Sequence, residues 1–457
     1  MKASASLFTA LLLNSPVLLA GQSTLLEVVH QDRQQAAIAL LESGADATEA
    51  NAYGVTPLSI ACLNGNTVLV KAMLKAGADA NASLPGNETA LHTAARTGKT
   101  GPIQALLDHG ARVDATEHRG QTPLMWAAAE GHADAVKLLI AAGADPATRL
   151  ESGFNALFFA VREGRIAASL ALLKAGMDVN AAFTPEKGSN KGPTRGSSPL
   201  ILAVENGHFE LAHELLKAGA DPNDQRSGHT PLHNLTWVRK PNKGDDDSGN
   251  PSPIGSGNLG SLQLARRLVE SGADVNARLK RGASGRARLT MSGATPFFMA
   301  ADTADLPYMK LLIELGADPS IPNKDDCPPL LPAAGLGTRA PGEEAGTEEE
   351  SIEAVKFLLS IGANLNTIDK NGETVMHGAA YASFPEMARF LAKHGADIRV
   401  WNQKNKYGWT PLIIAQGFRP GNFKPSVPTI SAISEVMLAQ GVTPPPPPPR
   451  EKKKWNE

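Results

Sequence analysis

The sequence predicts an all-α solenoid of about eleven helix-turn-helix units joined by β-hairpin-like loops. Two recurring phrases carry this prediction. A Gly-Ala-Asp phrase follows a Leu-rich stretch, and its glycine recurs every 33 residues from Gly44 to Gly176. A second phrase, "GVTPLSIACLNGN" from Gly54, recurs in the same register between those glycines. A fixed period of this size is typical of a repeat array, in which each unit packs only on its neighbours.

The elements of one unit follow from the residue types in the two phrases. Thr or Ser caps the first helix, and the Pro after it suits the first helical turn. A glycine such as Gly65 ends this helix, and a second helix with paired apolar residues such as Leu138 and Leu139 follows. The Gly-Ala-Asp glycine closes the second helix, because only Gly adopts the left-handed conformation cheaply. The Asp- and Asn-rich stretch after it predicts a hairpin-like turn to the next unit.

The second phrase also resembles the ankyrin repeat. The copies "GQTPLMWAAAEGH" from Gly120, "GHTPLHNLTW" from Gly228 and "GWTPLIIAQG" from Gly408 resemble the T-P-L-H-x-A signature of that family. The 33-residue period and the late Gly-Ala-Asp match as well. The resemblance covers the chain from Leu25 to about Gly441. It implies an ankyrin-repeat solenoid that recognises protein partners along its hairpins and the concave face of its first helices.

The repeat array is assigned to residues 22–441. After Gly176 the spacing of the Gly-Ala-Asp phrase becomes mostly longer, which indicates insertions. Two insertions fall in hairpins, and three fall between paired helices, at 183–197, 278–293, 240–261, 335–350 and 417–427. Their Gly, Pro and Ser content predicts loops, and for loops of this length we favour disorder over function. Pro332 within a first helix, together with the split seventh unit, predicts soft points near 238–261 and 328–350.

The two ends of the chain have their own compositions. Residues 1–20 resemble a secretory signal peptide, with Lys2, a short apolar run from Leu7 to Leu13, and a cleavage site after Ala20. That run and every later one are too short to span a bilayer. We therefore expect a bacterial protein that is periplasmic or secreted. Residues 442–457 form a Pro-rich basic tail, and its six consecutive prolines predict a polyproline II rod.

Candidate partner-binding residues lie where the repeat does not dictate the residue type. The family resemblance places the first variable position after the small-residue pair on the concave surface. Large aromatic or Arg side chains suit such anchors, and the candidates are Arg96, Arg162, Trp237 and Tyr381. Alternatively, Trp237 and Tyr381 cover neighbouring loops.

A second candidate surface is the basic hairpin insertion "RLKRGASGRAR". Its cationic residues are Arg278, Lys280, Arg281, Arg286 and Arg288. The best-matched partners are an anionic glycan, a lipid headgroup or an acidic protein. Nucleic acid is disfavoured by the expected export and by the formal net charge of -2.

The sequence contains no catalytic motif of the Gly-rich phosphate-loop, HExxH or GxSxG type. Cys62 and Cys327 belong to no CxxC pair, and we interpret them as a core residue and a loop thiol. His208, His213 and Glu214 would lie on elements of opposite orientation, which argues against a metal site. The sequence thus predicts a monomeric, non-catalytic scaffold with a protein partner, no cofactor and no metal.

Two other functions stay open at this point. The chain could be an accessory or inhibitory subunit of an envelope enzyme. It could also be an enzyme with a site formed by the insertions of repeats seven to nine. The carboxylate runs in those insertions, Asp245–Asp247 and Glu348–Glu350, are most simply interpreted as solvated loop charge.

Overall fold

The computed structural model describes residues 24–186, 193–243, 252–280, 289–418 and 424–448. Within these ranges the chain forms 23 α-helices and no β-strand, with one isolated antiparallel bridge between Ser83 and Thr89. The helices form eleven successive pairs plus one additional short helix. The predicted all-helical repeat architecture is therefore confirmed. The predicted signal peptide, 1–20, and residues 449–457 of the tail lie outside the described residues.

The chain divides into two units, residues 1–202 and 203–457, which we call unit 1 and unit 2. Unit 1 contains five complete helix pairs. Their first helices are Leu25–His30, Pro57–Asn64, Ala90–Thr97, Pro123–Glu130 and Ala156–Arg162. Their second helices are Gln34–Glu42, Thr67–Lys75, Thr100–Asp108, Ala133–Ala141 and Ile166–Lys174. The division falls within the next helix, Pro199–Glu205.

Unit 2 holds the remaining helices. The first helices that follow Pro199–Glu205 are Pro231–Arg239, Pro296–Asp302, Leu330–Ala333, Val375–Ala382 and Pro411–Ala415. The second helices are Phe209–Lys217, Ser261–Glu270, Leu306–Glu314, Glu348–Ser360, Pro385–Lys393 and Val427–Ala439. One short helix, Ile398–Trp401, lies outside this pairing.

The predicted helix boundaries follow from capping. Thr56 caps Pro57–Asn64, since its side chain accepts a hydrogen bond from the backbone N–H of Ser59. Gly98 ends Ala90–Thr97 in the left-handed conformation, with φ of 71°. A Cβ atom at Gly98 would also lie 2.3 Å from the His132 ring. Glycine is thus required there both by the backbone conformation and by the close approach of the next repeat.

Buried histidines connect neighbouring repeats. The His92 Nδ1 atom accepts a hydrogen bond from the backbone N–H of Thr89 at 3.2 Å, which leaves Nε2 to donate to the carbonyl oxygen of Gln121 at 3.0 Å. His233 and His377 make the same two kinds of contact in unit 2. Burial lowers the pKa of both rings to about 4, so they are neutral at physiological pH. These histidines hold the repeats together.

Both hairpin insertions are closed by the same pair of backbone hydrogen bonds. Phe183 donates its N–H to the carbonyl oxygen of Ser197 and accepts from the N–H of Gly196, each at 2.9 Å. Leu279 makes equivalent bonds of 2.8 Å to Ala294 and from Gly293. The side chains of Phe183 and Leu279 are buried. Each insertion therefore leaves the array through a fixed stem with a buried anchor.

The insertions between paired helices pack on unit 2 wherever the structure describes them. Ser256 donates its N–H to Nδ1 of His208 at 3.0 Å, and Ala345 donates its N–H to Oδ1 of Asn242 at 3.3 Å. The expectation of disorder is wrong for 252–260 and 335–347, because polar contacts of this kind hold them on neighbouring elements. Residues 244–251, which include Asp245–Asp247, lie outside the described residues.

The residues Glu348–Glu350 also differ from the expectation. They form the first turn of the helix Glu348–Ser360, which Thr347 caps in a capping box with Glu350. Carboxylates at this end of a helix are stabilised by the helix dipole. The run is therefore helical rather than solvated loop charge.

Pro332 lies inside its helix without breaking the helix at that residue. The first helix of this repeat, Leu330–Ala333, has only four residues, and Ala333 and Ala334 still donate their N–H groups to the carbonyl oxygens of Pro329 and Leu330. The reduced stability expected near 238–261 and 328–350 stays a prediction. In the part of the chain that the structure describes, no helix has the length and apolar character needed to cross a bilayer.

Candidate functional site

The candidate anchors share one position in the repeat, the seventh residue after the residue that caps the first helix. We call it the variable position. Six residues with large or charged side chains occupy it, namely Arg96, Arg162, Glu205, Trp237, Asp302 and Tyr381. The structure places these six in three different environments. The arginines stack on aromatic rings, Tyr381 is buried, and Glu205, Trp237 and Asp302 occupy three successive repeats of unit 2, where Trp237 is exposed.

In unit 1 the two arginines stack on rings of the chain itself. The Arg96 guanidinium lies 5.3 Å from the ring centroid of Trp126. Burial raises the pKa of Glu88, and the positive charge of Arg96 opposes that rise. Arg162 lies 5.2 Å from the Phe159 ring and pairs with a carboxylate on the adjacent residue, Glu163, at 2.9 Å. Both guanidinium groups are thus engaged within unit 1.

Tyr381 corrects the sequence-based assignment, because its side chain is only 1% exposed. Its hydroxyl donates to Oε1 of Glu373 at 3.2 Å and accepts from Nδ2 of Asn405 at 3.3 Å. A phenol buried with these polar partners is part of the core network of unit 2. It cannot act as a surface anchor in this structure.

Trp237 is the one large aromatic side chain at the variable position that is exposed, with 44% of its surface accessible. The helix Pro231–Arg239 places Asn234 one turn before it, on the same side of the helix. The imidazole of His229 packs perpendicular to the indole, with ring centroids 5.4 Å apart. Trp237 is therefore held in place on one side while its remaining surface faces solvent.

The carboxylate of Glu205 completes this group. Its Oε1 atom lies 3.5 Å from Nε2 of His229 and accepts from Nδ2 of Asn234 at 3.4 Å. Among the described residues, neither Lys nor Arg pairs with Glu205, and its Oε2 atom has no hydrogen-bond partner. We call Glu205, His229, Asn234 and Trp237 the Trp237 cluster. It offers a carboxylate acceptor beside an aromatic ring.

The cluster does not form a hydrolytic triad. Ser227 Oγ lies 3.3 Å from Nε2 of His229, and Glu205 approaches that same nitrogen atom. A catalytic triad requires the nucleophile and the carboxylate on opposite ring nitrogens. Both cysteines are free and buried, and burial raises the pKa of the Cys62 and Cys327 thiols, so neither presents a thiolate. Cys327 lies in a loop, as predicted, but inside the protein.

Asp302 occupies the variable position of the next repeat. Burial, and secondly the nearby carboxylate of Glu344, raise the pKa of Asp302 to about 7. Among the described residues, no group of three or more His, Cys, Asp or Glu side chains is arranged to hold a metal ion.

The basic hairpin is only partly described. Arg278 donates from Nη2 to the carbonyl oxygen of Pro322 at 2.7 Å and from Nε to that of Gly293 at 3.1 Å, so its guanidinium stabilises the hairpin. Lys280 has an exposed side chain. The other three cationic candidates, Arg281, Arg286 and Arg288, lie outside the described residues.

A row of lysines marks the hairpin tips of unit 2. Each donates its backbone N–H to a carbonyl oxygen of the preceding hairpin, at 2.8–3.1 Å, and each has an exposed side chain. The four residues are Lys280, Lys324, Lys370 and Lys406. The sequence contains a signal for this row, since Lys370 and Lys406 both stand four residues before a helix-capping threonine. Sequence reasoning missed the row because it considered only the basic hairpin insertion, 278–293.

Sequence reasoning also missed three of the four residues of the Trp237 cluster. Glu205 occupies the variable position, and the signal that identifies it is the change from Arg in unit 1 to a carboxylate in unit 2. His229 stands in a hairpin, directly before the capping residue Thr230. Nothing in the repeat pattern marks His229 as a neighbour of Trp237.

Comparison with protein families agrees with this architecture. The model for ankyrin repeats in three copies matches residues 25–117, 60–150, 103–183 and 345–422, and the single ankyrin repeat model matches 195–226. These matches cover more than half of the chain. The chain therefore belongs to the ankyrin repeat family, whose members generally mediate protein–protein interaction.

Individual relatives share the repeats but differ in overall length. The mouse B-cell lymphoma 3 protein homolog is 32% identical over 224 residues, covering 49% of this chain and 40% of the relative. Human ankyrin repeat and SOCS box protein 16 is 30% identical over 233 residues, covering 48% and 47%. The chain thus spans less than half the length of these relatives. The crystal structure of the human ASB11 ankyrin repeat domain aligns with a TM-score of 0.45 at 20% identity, covering 58% of this chain and 100% of that domain.

Proposed function

We propose that the chain is a non-catalytic protein-binding scaffold of the bacterial cell envelope and that its partner binds at the Trp237 cluster. The observation that carries the proposal is the exposure of Trp237, 44%, beside a carboxylate that pairs with no Lys or Arg of the described chain. Indole side chains supply large contact areas at low entropic cost, and they are enriched among the residues that dominate binding. Membership of the ankyrin repeat family supports the same function.

The partner-binding proposal is tested by crosslinking capture from the envelope fraction of the native organism. Trp237→Ala should abolish capture of the partner that the unchanged full-length protein retains. Tyr53→Ala is the matched control, since Tyr53 is an aromatic residue of unit 1 with a similar exposed fraction, 41%. The Tyr53→Ala protein should still capture the partner. Equal capture by folded Trp237→Ala and Tyr53→Ala proteins would refute the assignment to this surface.

Export is a separate part of the proposal, supported by the composition of residues 1–20. We expect these residues, fused to an alkaline phosphatase that folds only outside the cytoplasm, to yield active enzyme in a bacterial host. Replacing Leu11 and Leu12 by Asp should abolish that activity, because the apolar run would be broken. If the unchanged fusion shows no phosphatase activity, the proposed export is wrong. The partner-binding proposal would be unaffected by that result.

The identity of a captured partner would sharpen the function further. Capture of a single envelope enzyme, with a change in its rate on binding, would favour an accessory or inhibitory subunit. Capture of several unrelated proteins through Trp237 would favour a general scaffold. Both results would retain the proposed binding surface.

A further inference from the structure

We propose that the Trp237 cluster is a docking site for an arginine side chain of the partner protein. The inference rests on the proposed protein-binding function and specifies the chemistry that the partner must present. It is carried by an arrangement of the same chemical groups that occurs inside unit 1, where the arginine belongs to the chain itself.

The internal arrangement consists of Arg96, Trp126 and Glu88. The Arg96 guanidinium lies 5.3 Å from the Trp126 ring centroid and acts electrostatically on the Glu88 carboxyl group. Trp gives the most favourable cation–π contacts, and Arg is the more frequent cation in them. A nearby carboxylate adds a separate Coulombic attraction for the same cation. In unit 1 two successive repeats supply all three groups.

The Trp237 cluster contains two of these three groups. Trp237 supplies the indole, and Glu205 supplies the carboxylate, with one imidazole ring between them. No Lys or Arg among the described residues lies over the Trp237 ring. The Glu205 side chain is 28% exposed, and its Oε2 atom is open to a donor. A cation from outside the chain would complete the group.

Arginine fits this cluster better than lysine does. The guanidinium is planar, so it can stack on the indole while its N–H groups donate sideways to a carboxylate. A lysine ammonium is a compact and strongly hydrated charge that makes only one of these contacts well. The carboxylate of Glu205 beside Trp237 therefore favours a basic side chain of the partner over an acidic one.

The site is tested with the full-length chain labelled with 5-fluorotryptophan. The sequence contains five tryptophans, and Trp237→Phe identifies the resonance of interest. The probes are N-acetyl-arginine methylamide and its neutral isostere, N-acetyl-citrulline methylamide. We expect the arginine probe to shift the Trp237 resonance saturably, in the millimolar range, and the citrulline probe to leave it unchanged. Absence of a saturable shift, or equal shifts by the two probes, would overturn the inference.

Two matched variants test the role of the carboxylate. Glu205→Gln should weaken arginine binding about three- to fivefold, because the acceptor loses its charge. Glu214→Gln is the control in unit 2, since the Glu214 side chain has the same exposed fraction, 28%, and pairs with Lys217. It should leave binding unchanged. Equal affinities for the two variants would remove Glu205 from the site.

The outcome is separable from that of the proposed function. If Trp237→Ala loses the partner while Glu205→Gln retains it and the arginine probe does not bind, the scaffold function stands and the arginine inference fails. If the arginine probe binds but capture survives Trp237→Ala, the site exists and the proposed partner surface is wrong.

Discussion

Units 1 and 2 use the same repeat position in opposite ways. In unit 1 the variable position carries Arg96 and Arg162, and both stack on rings of the chain itself. In unit 2 it carries Glu205 and Asp302 on either side of the exposed Trp237. At this position the two arginines of unit 1 contact rings of unit 1, whereas in unit 2 Trp237 is exposed and Tyr381 is buried. The exposed Trp237 and the insertions between paired helices therefore occur in the same unit.

The two units also differ in how ion pairs hold them. In unit 1 the ion pairs between described residues are local, such as that between Lys137 and Asp134. In unit 2, Arg239 pairs with Asp305, and Lys240 pairs with Glu350, across 66 and 110 positions of sequence. Long-range pairs thus connect repeats that the insertions separate along the chain.

The largest expected effect of this difference is a loss of cooperativity between the units. Because repeat stability sums local and nearest-neighbour terms, the interrupted helices of unit 2 should unfold first. Limited proteolysis should cut near 238–261 or 328–350 and leave a protected fragment of unit 1. Backbone amide hydrogen exchange should be at least about tenfold faster in the helices of unit 2 than in those of unit 1. A single sharp unfolding transition without a protected fragment would show that the two units do not differ in stability.

The next largest effect concerns the buried ion pair. Arg239→Ala should destabilise unit 2 by about 3–5 kcal/mol, because it leaves the Asp305 carboxylate, 1% exposed, without its guanidinium. Urea denaturation measures this loss. Arg266→Ala is the control, since Arg266 pairs with Glu314 at the surface and should cost less than about 1 kcal/mol. Similar costs for the two variants would mean that packing alone holds the insertions.

A smaller effect is expected from the buried histidine that connects two repeats of unit 2. His377→Phe should cost about 1–3 kcal/mol at pH 7, since the Thr374 N–H and the Trp409 carbonyl lose their partner. The pKa of His377 is lowered to about 4, so its contribution is present above pH 6.5 and is lost as the pH falls through 4.

The variant should therefore lose less stability on acidification than the unchanged protein does. Thermal unfolding at pH 7 and pH 4 measures the difference. Phe298 occupies the equivalent position naturally, so the core accepts a phenyl ring there. His394→Phe, at an exposed histidine, is the control. It should change neither the stability at pH 7 nor the loss of stability on going to pH 4. An unchanged acid sensitivity in His377→Phe would contradict the assigned role.

The smallest expected effect concerns Asp302, whose contribution to stability changes with pH in the opposite direction to that of His377. The pKa of Asp302 is raised to about 7, so its contribution to stability is present below pH 3.8 and is lost as the pH rises through 7. Asp302→Asn removes this loss and should stabilise unit 2 by about 1–2 kcal/mol more at pH 8 than at pH 5. Calorimetry at the two pH values measures it. Asp318→Asn should give no such gain, because a hydrogen bond from Ser320 lowers the pKa of Asp318 instead.

The sequence predicted the helices well because each depends on local chemistry. Thr56 and Gly65 cap a helix in the structure as the repeated phrase predicts. The site was predicted less well because exposure depends on what packs over a residue. Trp237 and Tyr381 share one repeat position, yet Asn405 and Glu373 enclose only the tyrosine. The ion pair between Lys240 and Glu350 joins two insertions. The sequence could not predict this contact, because the insertions do not repeat and therefore cannot be aligned with each other.

The closed stem at Leu279 has a practical consequence for protein engineering. Its two 2.8 Å bonds hold the ends of the insertion together whatever sequence lies between them. The free-energy cost of changing loop length then grows only with the logarithm of the number of residues, about 0.6 kcal/mol for each doubling. A peptide grafted between Lys280 and Met291 would thus be displayed as a closed loop on an intact solenoid. The chain could serve as a carrier for epitopes that need constrained ends.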